Sequence, residues 1–326
     1  MDKQETYVAG CRASGKLHIG NYLGLISQLL ETQNLANKQR FYFIADLHGL
    51  TTPFVPEEIG QNTLDVAASY LAAGIDPNKT VFFLQSQVLE HSILAWIFSC
   101  ITPLSELERM TQYKDKSGQH KENINAGLLT YPALMAADIL LYKPTAIPVG
   151  EDQVQHVELS RVIARKFNHK FGKTFPEPKT YLTKPLRVMS LTDPTKKMSK
   201  TGDEALLLDD EPKEITRKLK KAVTATDSGK KSPGEENLML LLSHFGQAEE
   251  VRYFTEAQNQ GTLKYSELKE TLAKDIAEYF AEFREKKKQL LSRPNQLAEI
   301  LGEGSRKARE VASQTLLEVK QKIGLL

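Results

Sequence analysis

Short apolar runs alternate with longer amphipathic stretches through the first half of the chain. Four of these runs are mostly apolar and end at polar residues, as parallel strands covered on both faces do. They span residues 6–10, 40–46, 80–85 and 145–149. Because parallel strands need crossover connections, and helices supply them, the alternation predicts an α/β fold with a doubly wound parallel sheet.

Helical periodicity fills the stretches between the predicted strands. We expect one helix to follow Gly20 and another to run from Pro56 to a stop at Gly74. Apolar helices are expected over residues 90–110 and 128–142. The polar, basic segment 113–121 predicts a loop, which either contacts phosphate or simply faces solvent.

The last third of the chain shows helical periodicity and no convincing strand. This predicts a second, all-α domain, and we divide the chain into residues 1–196 and 197–326, with the last helix expected to pack back on the first domain. Basic residues cluster in the second domain, for example at 217–221 and 284–288. Solvated helix faces are one interpretation of these clusters, and nucleic-acid contact is the other.

Composition narrows the class of protein. The chain has 326 residues, a net charge of +2 and 40% hydrophobic residues, and no apolar run is long enough to span a bilayer. Cys11 and Cys100 lie far apart without a Cys-x-x-Cys partner, which argues against a cysteine-rich metal site and fits a reducing compartment. The polar start resembles neither a secretory nor a transit signal, so we expect a cytoplasmic protein without membrane contact.

Two glycines and a histidine lie where the first strand meets the first helix, within residues 14–21. Free N–H groups and the helix dipole favour an anion there, and Gly20 lets a phosphate or base approach the main chain. Asp46 and His48 follow the second strand, so the topology places them at the same edge of the sheet. A solvated histidine in a glycine-rich turn is the alternative to this ligand site.

One carboxylate, Asp138, is the only charged side chain of the apolar stretch 128–142. A carboxylate in such a setting is costly unless a donor pairs with it. The donor is either a neighbouring backbone or arginine group, or it arrives with a ligand.

Lysines bracket a Met-Ser pair within the turn-rich segment 192–202. A flexible loop of this kind brings point charges to a polyphosphate, whereas a basic linker between domains is the plainer interpretation.

Together these motifs resemble a known family. The run from His18 to Asn21, taken with Lys197 to Thr201, is similar to the paired signature loops of class I aminoacyl-tRNA synthetases. Segments 43–48, 129–142 and 148–153 resemble the bacterial tryptophanyl-tRNA synthetase subfamily, and the similarity runs nearly the full length. The resemblance implies an enzyme with a Rossmann-like catalytic domain and a helical domain that reads the tRNA anticodon.

The resemblance implies ATP-dependent activation of L-tryptophan to its adenylate, followed by transfer to tRNA(Trp). It assigns catalysis to His18, Asn21, Lys116, Lys197 and Lys200. It assigns ATP binding to Arg12, Ala13, Ser14, Gly20, Asn21, Gly150, Glu151, Asp152, Val188, Lys197, Met198, Ser199, Lys200 and Thr201. Mg²⁺ is expected to be carried by the nucleotide, without a metal site on the protein. Arg12 and Ala13 stand where the family often has a Gln-Pro pair.

The resemblance also implies a tryptophan pocket and a quaternary structure. Asp138 would accept the indole N–H, which is a donor only. The implied neighbours are Met135, His48, Gln153, Ile147, Val149 and Val8. A homodimer is implied, with the apolar region 90–110 as the candidate contact, and no DNA partner is expected.

Three alternatives stay open at the level of sequence. A tyrosyl-tRNA synthetase shares the scaffold, and a buried aspartate also suits a phenol. A nucleotidyltransferase acting on a smaller molecule could use similar loops, although the helical domain counts against it. A non-catalytic, regulatory tRNA-binding relative is the third, and the presence of His18, Lys197 and Lys200 counts against it.

Overall fold

The structure of the chain is a computed structural model. It describes residues 5–13, 15–119, 124–150, 153–181, 186–200, 202–224 and 232–325.

Five parallel strands form the central sheet, in the order β3-β2-β1-β4-β5. They are β1 Glu5–Arg12, β2 Lys38–Ala45, β3 Val81–Leu84, β4 Ala146–Pro148 and β5 Lys179–Tyr181. The strand order reverses between β1 and β4, where doubly wound sheets bind ligands beyond the carboxyl ends of the strands. The predicted doubly wound α/β class is confirmed.

Helices make up most of the rest of the described chain. In order they are α1 Ile19–Asn21, α2 Ser27–Gln33, α3 Pro56–Ala72, α4 Glu90–Ile101, α5 Leu104–Glu108, α6 Thr111–Gln119, α7 Ala126–Leu140, α8 Val154–Phe171, α9 Pro212–Lys221, α10 Pro233–Phe245, α11 Ala248–Gln260, α12 Tyr265–Tyr279, α13 Ala281–Leu291 and α14 Pro294–Ile323. A π-helical segment, Tyr22–Ile26, joins α1 to α2. Such segments are frequent at functional sites.

Three expectations from the sequence are corrected. The apolar region 90–110 is two helices, because Pro103 separates α4 from α5. The loop expected over 113–121 is helical through Gln119, since the Thr111 backbone N–H and hydroxyl both bond Gln155 Oε1 and fix the start of α6. The short strand β5 went unpredicted, because its three residues carry no apolar pattern.

The chain divides into two compact units. The first comprises Met1–Gly15, Gln28–Lys184 and Arg293–Leu326, and the second comprises Lys16–Ser27 and Pro185–Ser292. The first therefore contains the sheet and α14, and the second contains the start of the first helical region and α9 to α13. The functional division at residue 196 stays a prediction.

In the first unit the core lies on both faces of the sheet. Phe41 and Tyr42 are consecutive residues of β2, lie on opposite faces of the sheet and are both buried. Helix α14 packs directly on β3, where a Cβ at Gly304 would lie 1.8 Å from the Phe82 carbonyl oxygen, so only glycine permits this approach. Four residues of α14 join the same core, namely Ala308, Ala312, Leu316 and Val319.

In the second unit, two buried lysines hold adjacent carboxylates. Lys218 of α9 lies 2.7 Å from Asp210, and Lys287 of α13 lies 2.9 Å from Asp209. Lys287 was expected to belong to an exposed basic run, and its burial corrects that expectation. Helices α9 and α13 are thereby tied to the chain that precedes α9.

Within the described parts of the chain, no helix is both long and apolar enough to cross a membrane.

Candidate active site

The Asp138 carboxylate lies on α7 in the first unit and is 1% exposed. Gln85 Nε2 lies 2.7 Å from Oδ1 and 2.8 Å from Oδ2. His91 Nδ1 lies 2.6 Å from Oδ1, and His48 Nε2 lies 2.8 Å from Oδ2. The donors are therefore glutamine and histidine side chains of the protein itself. The sequence analysis had considered only a backbone or arginine group, or a donor that arrives with a ligand.

These donors decide the protonation state of the carboxylate. Burial by itself would raise the pKa of Asp138, but the hydrogen bonds from His48 and His91 outweigh it and lower the pKa to about 2. Asp138 is consequently ionised at neutral pH, and an ionised carboxylate only accepts hydrogen bonds. A ligand that meets Asp138 must present a donor.

Apolar side chains from three elements of the first unit share one core with Ala137 and Ile139, the residues that flank Asp138 on α7. Val8 of β1, Ile147 of β4 and Val149 after it are buried in one cluster, and Met135 of α7 packs against that cluster. Gln153 precedes α8, where its backbone N–H bonds the Gly150 carbonyl. The structure thus groups the four apolar residues of the predicted tryptophan pocket in the same core.

Arg12 ends β1 without a carboxylate partner among the described residues. Its Nη2 donates to the His48 carbonyl at 3.1 Å, and its buried Nε has no hydrogen-bond partner in the part of the chain that is described. Burial lowers the pKa of the Arg12 guanidinium. A half-buried cation of this kind suits an anionic group of a ligand.

The signature segment of His18 belongs to the second unit and is held by main-chain pairing. Ile19 N donates to Leu206 O, and Leu208 N donates to Leu17 O, both at 2.9 Å. The Asn21 side chain accepts from His18 N at 3.0 Å. These bonds fix the backbone on either side of His18.

Gly20 allows the His18 ring to fold back over the start of α1. A Cβ at Gly20 would lie 2.9 Å from both Cε1 and Nδ1 of His18, closer than real contacts permit. The ring is 5% exposed, and its Nδ1 has no hydrogen-bond partner among the described residues. Burial, and then the positive charges of Lys200 and Lys197, lower the pKa of His18 to about 4. His18 is therefore neutral at pH 7.

The lysine-rich signature forms one side of a short antiparallel pair in the second unit. Met198 N donates to Val188 O at 3.0 Å, and Met189 pairs with Lys197. Met198 is buried, whereas Lys197 and Lys200 are exposed. The Ser199 hydroxyl bonds the Glu204 carboxylate. The two lysines that carry charge towards His18 are thus presented by a fixed backbone.

Comparison with known proteins decides the family. A family model described as tRNA synthetases class I (W and Y) matches residues 2–292. The chain belongs to this family. The resemblance seen in the sequence is thereby confirmed.

Two bacterial relatives match this synthetase over almost all of their length. The tryptophan–tRNA ligase of Caldanaerobacter subterraneus subsp. tengcongensis is 44% identical, covering 98% of each chain. The tryptophan–tRNA ligase of Deinococcus radiodurans is 41% identical, also covering 98% of each. A crystal structure of tryptophanyl-tRNA synthetase from Campylobacter jejuni, complexed with ADP and tryptophan, superimposes with a TM-score of 0.86 at 38% identity, covering 98% of this chain and 99% of that one.

Some predicted site residues of this synthetase cannot be placed in the fold. Ser14, Glu151, Asp152 and Thr201 lie outside the described residues, and of Lys116 only the position on α6 is described. The others fall in two groups. Arg12, Ala13, Gly150 and the tryptophan-pocket residues belong to the first unit, whereas His18, Gly20, Asn21, Val188 and residues 197–200 belong to the second.

Sequence reasoning missed three side chains beside Asp138, namely Gln85, His91 and Tyr142. His91 is a fully buried polar residue on the largely apolar helix α4, so the argument applied to Asp138 could have found it. Gln85 follows a buried strand, as Asp46 does. The pairing of His91 with Asp138 joins residues on α4 and α7 and leaves no trace in periodicity.

Proposed function

We propose that this synthetase is a tryptophan–tRNA ligase, which activates L-tryptophan with ATP and transfers it to tRNA(Trp). The observation that carries the proposal is Asp138, a buried and ionised acceptor grouped with apolar side chains. An indole offers one N–H donor and no acceptor, so the two are complementary. The names of the bacterial relatives support the same substrate rather than tyrosine.

The activation step requires alignment more than proton transfer. The tryptophan carboxylate is ionised at neutral pH and attacks the α-phosphate of ATP without a general base. The P–O bond to pyrophosphate breaks, and the negative charge that develops on the leaving group needs stabilisation. A ribose hydroxyl of the tRNA then attacks the activated carbonyl and releases AMP.

Neutral His18 and the Asn21 amide are assigned to the nucleotide, with Gly20 giving the phosphates access to the backbone. Exposed Lys197 and Lys200 are assigned to the departing pyrophosphate, together with Lys116. We assign Mg²⁺ to the nucleotide as well. In the described parts of the chain, no three His, Cys, Asp or Glu side chains are grouped so that they could hold a metal ion.

Amino-acid-dependent ATP–pyrophosphate exchange tests the substrate. Tryptophan should stimulate exchange, whereas tyrosine and phenylalanine at equal concentration should not. Stimulation by tyrosine alone would replace the proposal with a tyrosyl-tRNA synthetase. Tight tRNA binding with no exchange for any amino acid would indicate a non-catalytic relative.

The helical part of the second unit is assigned to the tRNA anticodon. Lys220 and Lys288 are exposed there, whereas Lys218 and Lys287 are engaged internally. Replacing Lys220 and Lys288 together by glutamine should raise the KM for tRNA(Trp) several-fold and leave pyrophosphate exchange unchanged, since only the second step involves tRNA. An equal loss in both assays would contradict the assignment.

We also propose a homodimer that acts in the cytoplasm. Trp96 of α4 is 72% exposed, and Leu89 and Leu50 are also exposed, in the first unit. Trp96 and Leu50 line a groove between α4 and α7, and such an exposed apolar surface fits a second copy of the chain. Sedimentation at micromolar concentration should give a dimer that Trp96→Ser weakens, and a monomeric wild type would refute the proposal. Localisation is tested separately. When cells are fractionated, the protein should be recovered in the fraction that contains cytoplasmic tRNA.

A further inference from the structure

All the accepting positions of Asp138 are engaged in the described structure. A carboxylate offers about four lone-pair positions, and three donor nitrogens make four contacts with Asp138, two on each oxygen, with one Gln85 N–H shared between the two oxygens. Since the carboxylate is ionised, Gln85, His91 and His48 must all be donors. A further donor, such as an indole N–H, can therefore bind only if one of these bonds is given up.

Two of the three donors are fully enclosed by the protein. Gln85 and His91 are both 0% exposed. The other nitrogen of His91, Nε2, lies 2.7 Å from the Tyr142 hydroxyl. The Tyr142 ring is itself buried and stacks on Phe41 with 4.3 Å between ring centroids. Moving His91 would break two buried hydrogen bonds at once.

His91 connects Tyr142 to the carboxylate. Because an ionised carboxylate only accepts hydrogen bonds, His91 Nδ1 carries the proton that is donated to Asp138. Burial raises the pKa of Tyr142 well above its usual value, so its hydroxyl stays protonated, and it bonds His91 Nε2. Tyr142 therefore holds His91 in position.

His48 is held differently. It lies in the single-turn 3-10 helix Leu47–Thr51 that follows β2, and its side chain is 11% exposed, against 0% for His91. Its ring meets Tyr131 edge-on, with 6.0 Å between ring centroids. Its bond to Asp138 Oδ2 is the one bond of the four that can be exchanged without moving a fully buried side chain.

We propose that His48 occupies, in the absence of substrate, the position on Asp138 Oδ2 that the indole N–H takes, while Gln85 and the His91–Tyr142 pair hold the carboxylate fixed. The inference rests on the proposed function, because it requires an indole ligand. His91, Gln85 and Tyr142 are positioning residues in this account, and His48 is the exchangeable donor. Tryptophan binding then replaces one hydrogen bond by another.

The exchange has a consequence for selectivity. A ligand that is smaller than an indole and lacks an N–H can bind while His48 keeps its hydrogen bond to Asp138. Such a ligand is excluded only because it makes fewer apolar contacts with the protein. An indole-sized ligand without an N–H, such as 3-benzothienylalanine, displaces His48 and leaves a lone pair of the buried carboxylate unpaired. The ratio of kcat/KM for tryptophan to that for 3-benzothienylalanine in pyrophosphate exchange therefore isolates the hydrogen bond to Oδ2.

The positioning residues are tested by this ratio. In the wild type we expect a ratio of about 10 to 100, the usual effect of a hydrogen bond to a charged group. Tyr142→Phe and His91→Ala should each lower the ratio several-fold, and His91→Asn, which keeps a donor near Nδ1, should restore part of it. A merely structural role would reduce both substrates equally and leave the ratio unchanged, which would overturn the positioning role.

The exchange by His48 is tested without catalysis. Ring-¹⁵N histidine NMR of the full-length protein, assigned with His48→Gln and His91→Asn, should show the His48 Nε2–H signal shifting or exchanging with solvent when tryptophan is added. The His91 Nδ1–H signal should keep its protection. An unchanged His48 signal at saturating tryptophan would overturn the exchange. If tryptophan neither binds nor stimulates exchange in the wild type, the proposed function itself fails.

Discussion

Asp138 and His18 are both buried titratable residues, yet the surrounding protein treats them in opposite ways. Asp138 makes four hydrogen-bond contacts with three donor side chains of its own unit. His18 is held by main-chain bonds of its neighbours, and its Nδ1 finds no partner among the described residues. Lys197 beside it is exposed and forms no ion pair within the described chain.

The contrast separates selection from activation. A carboxylate that must recognise one N–H has to be ionised and immobile, and the protein supplies the donors that keep it so. A region that binds a nucleotide needs hydrogen-bond donors and positive charges that are not already engaged by other groups of the protein, so that they can bind the phosphates. Substitutions in the two regions should therefore change different kinetic constants.

The largest effect is expected at Asp138. Asp138→Asn replaces an ionised acceptor by a neutral amide among three buried donors, and kcat/KM for tryptophan should fall by about 10³. The KM for ATP should stay within about twofold, because the nucleotide does not depend on this group. Pyrophosphate exchange measures both constants, and an unchanged kcat/KM for tryptophan would remove Asp138 from the site.

His18→Ala should produce the converse pattern. Losing one group that stabilises the phosphates costs about 10² in kcat for adenylate formation. The preference for tryptophan over 3-benzothienylalanine should not change, since selection belongs to the other unit. Single-turnover measurements with each amino acid test this, and a change in preference would show that the two regions are not separable.

Lys218→Met should have a smaller effect on catalysis, and this effect should concern the kinetic constants for ATP. It leaves Asp210 without its buried cation, and Asp210 also accepts from Leu207 N beside the segment that pairs with His18. We expect kcat/KM for ATP to fall about tenfold and the melting temperature to drop. Lys213→Met, an exposed change on the same helix, is the control. Equal effects of the two variants would contradict a positioning role for Lys218.

The smallest effect concerns pH. The folded-state pKa of His18, about 4, lies below its ordinary value, so the ring stays neutral down to about pH 5 and protonates only as the pH falls further. The ratio of kcat/KM for ATP between wild type and His18→Asn should therefore vary less than about twofold between pH 6 and 8. A change in this ratio centred near pH 6.5 would show that His18 has the pKa of an ordinary histidine.

Much of this architecture was predictable because local patterns carry it. Apolar runs predicted β1 to β4, and the isolated charge on α7 predicted that Asp138 matters. The pairing of Leu17 and Ile19 with residues 206–208 was not predictable, since tertiary contacts between distant segments create it. The same holds for Lys287, which composition places on a solvated face and the fold buries against Asp209.

The residues of the candidate site also differ in whether a local sequence pattern reveals them. The signature residues His18 and Lys197 are recognisable because their motifs are contiguous. The donors around Asp138 come from three separate elements, and each looks ordinary in its own segment. Only the sheet order and the packing of α4 on α7 bring them together.

The position of α14 has a consequence for how this protein is itself made. Its residues Ala308 and Leu316 complete a core that begins with β1, so the first unit cannot close while its carboxyl-terminal helix is still inside the ribosome. At usual elongation rates of about 5 to 20 residues per second, α14 follows the edge strand β3 after roughly 10 to 50 seconds. During its own synthesis, an enzyme that serves translation therefore carries an uncovered strand edge until α14 has been made.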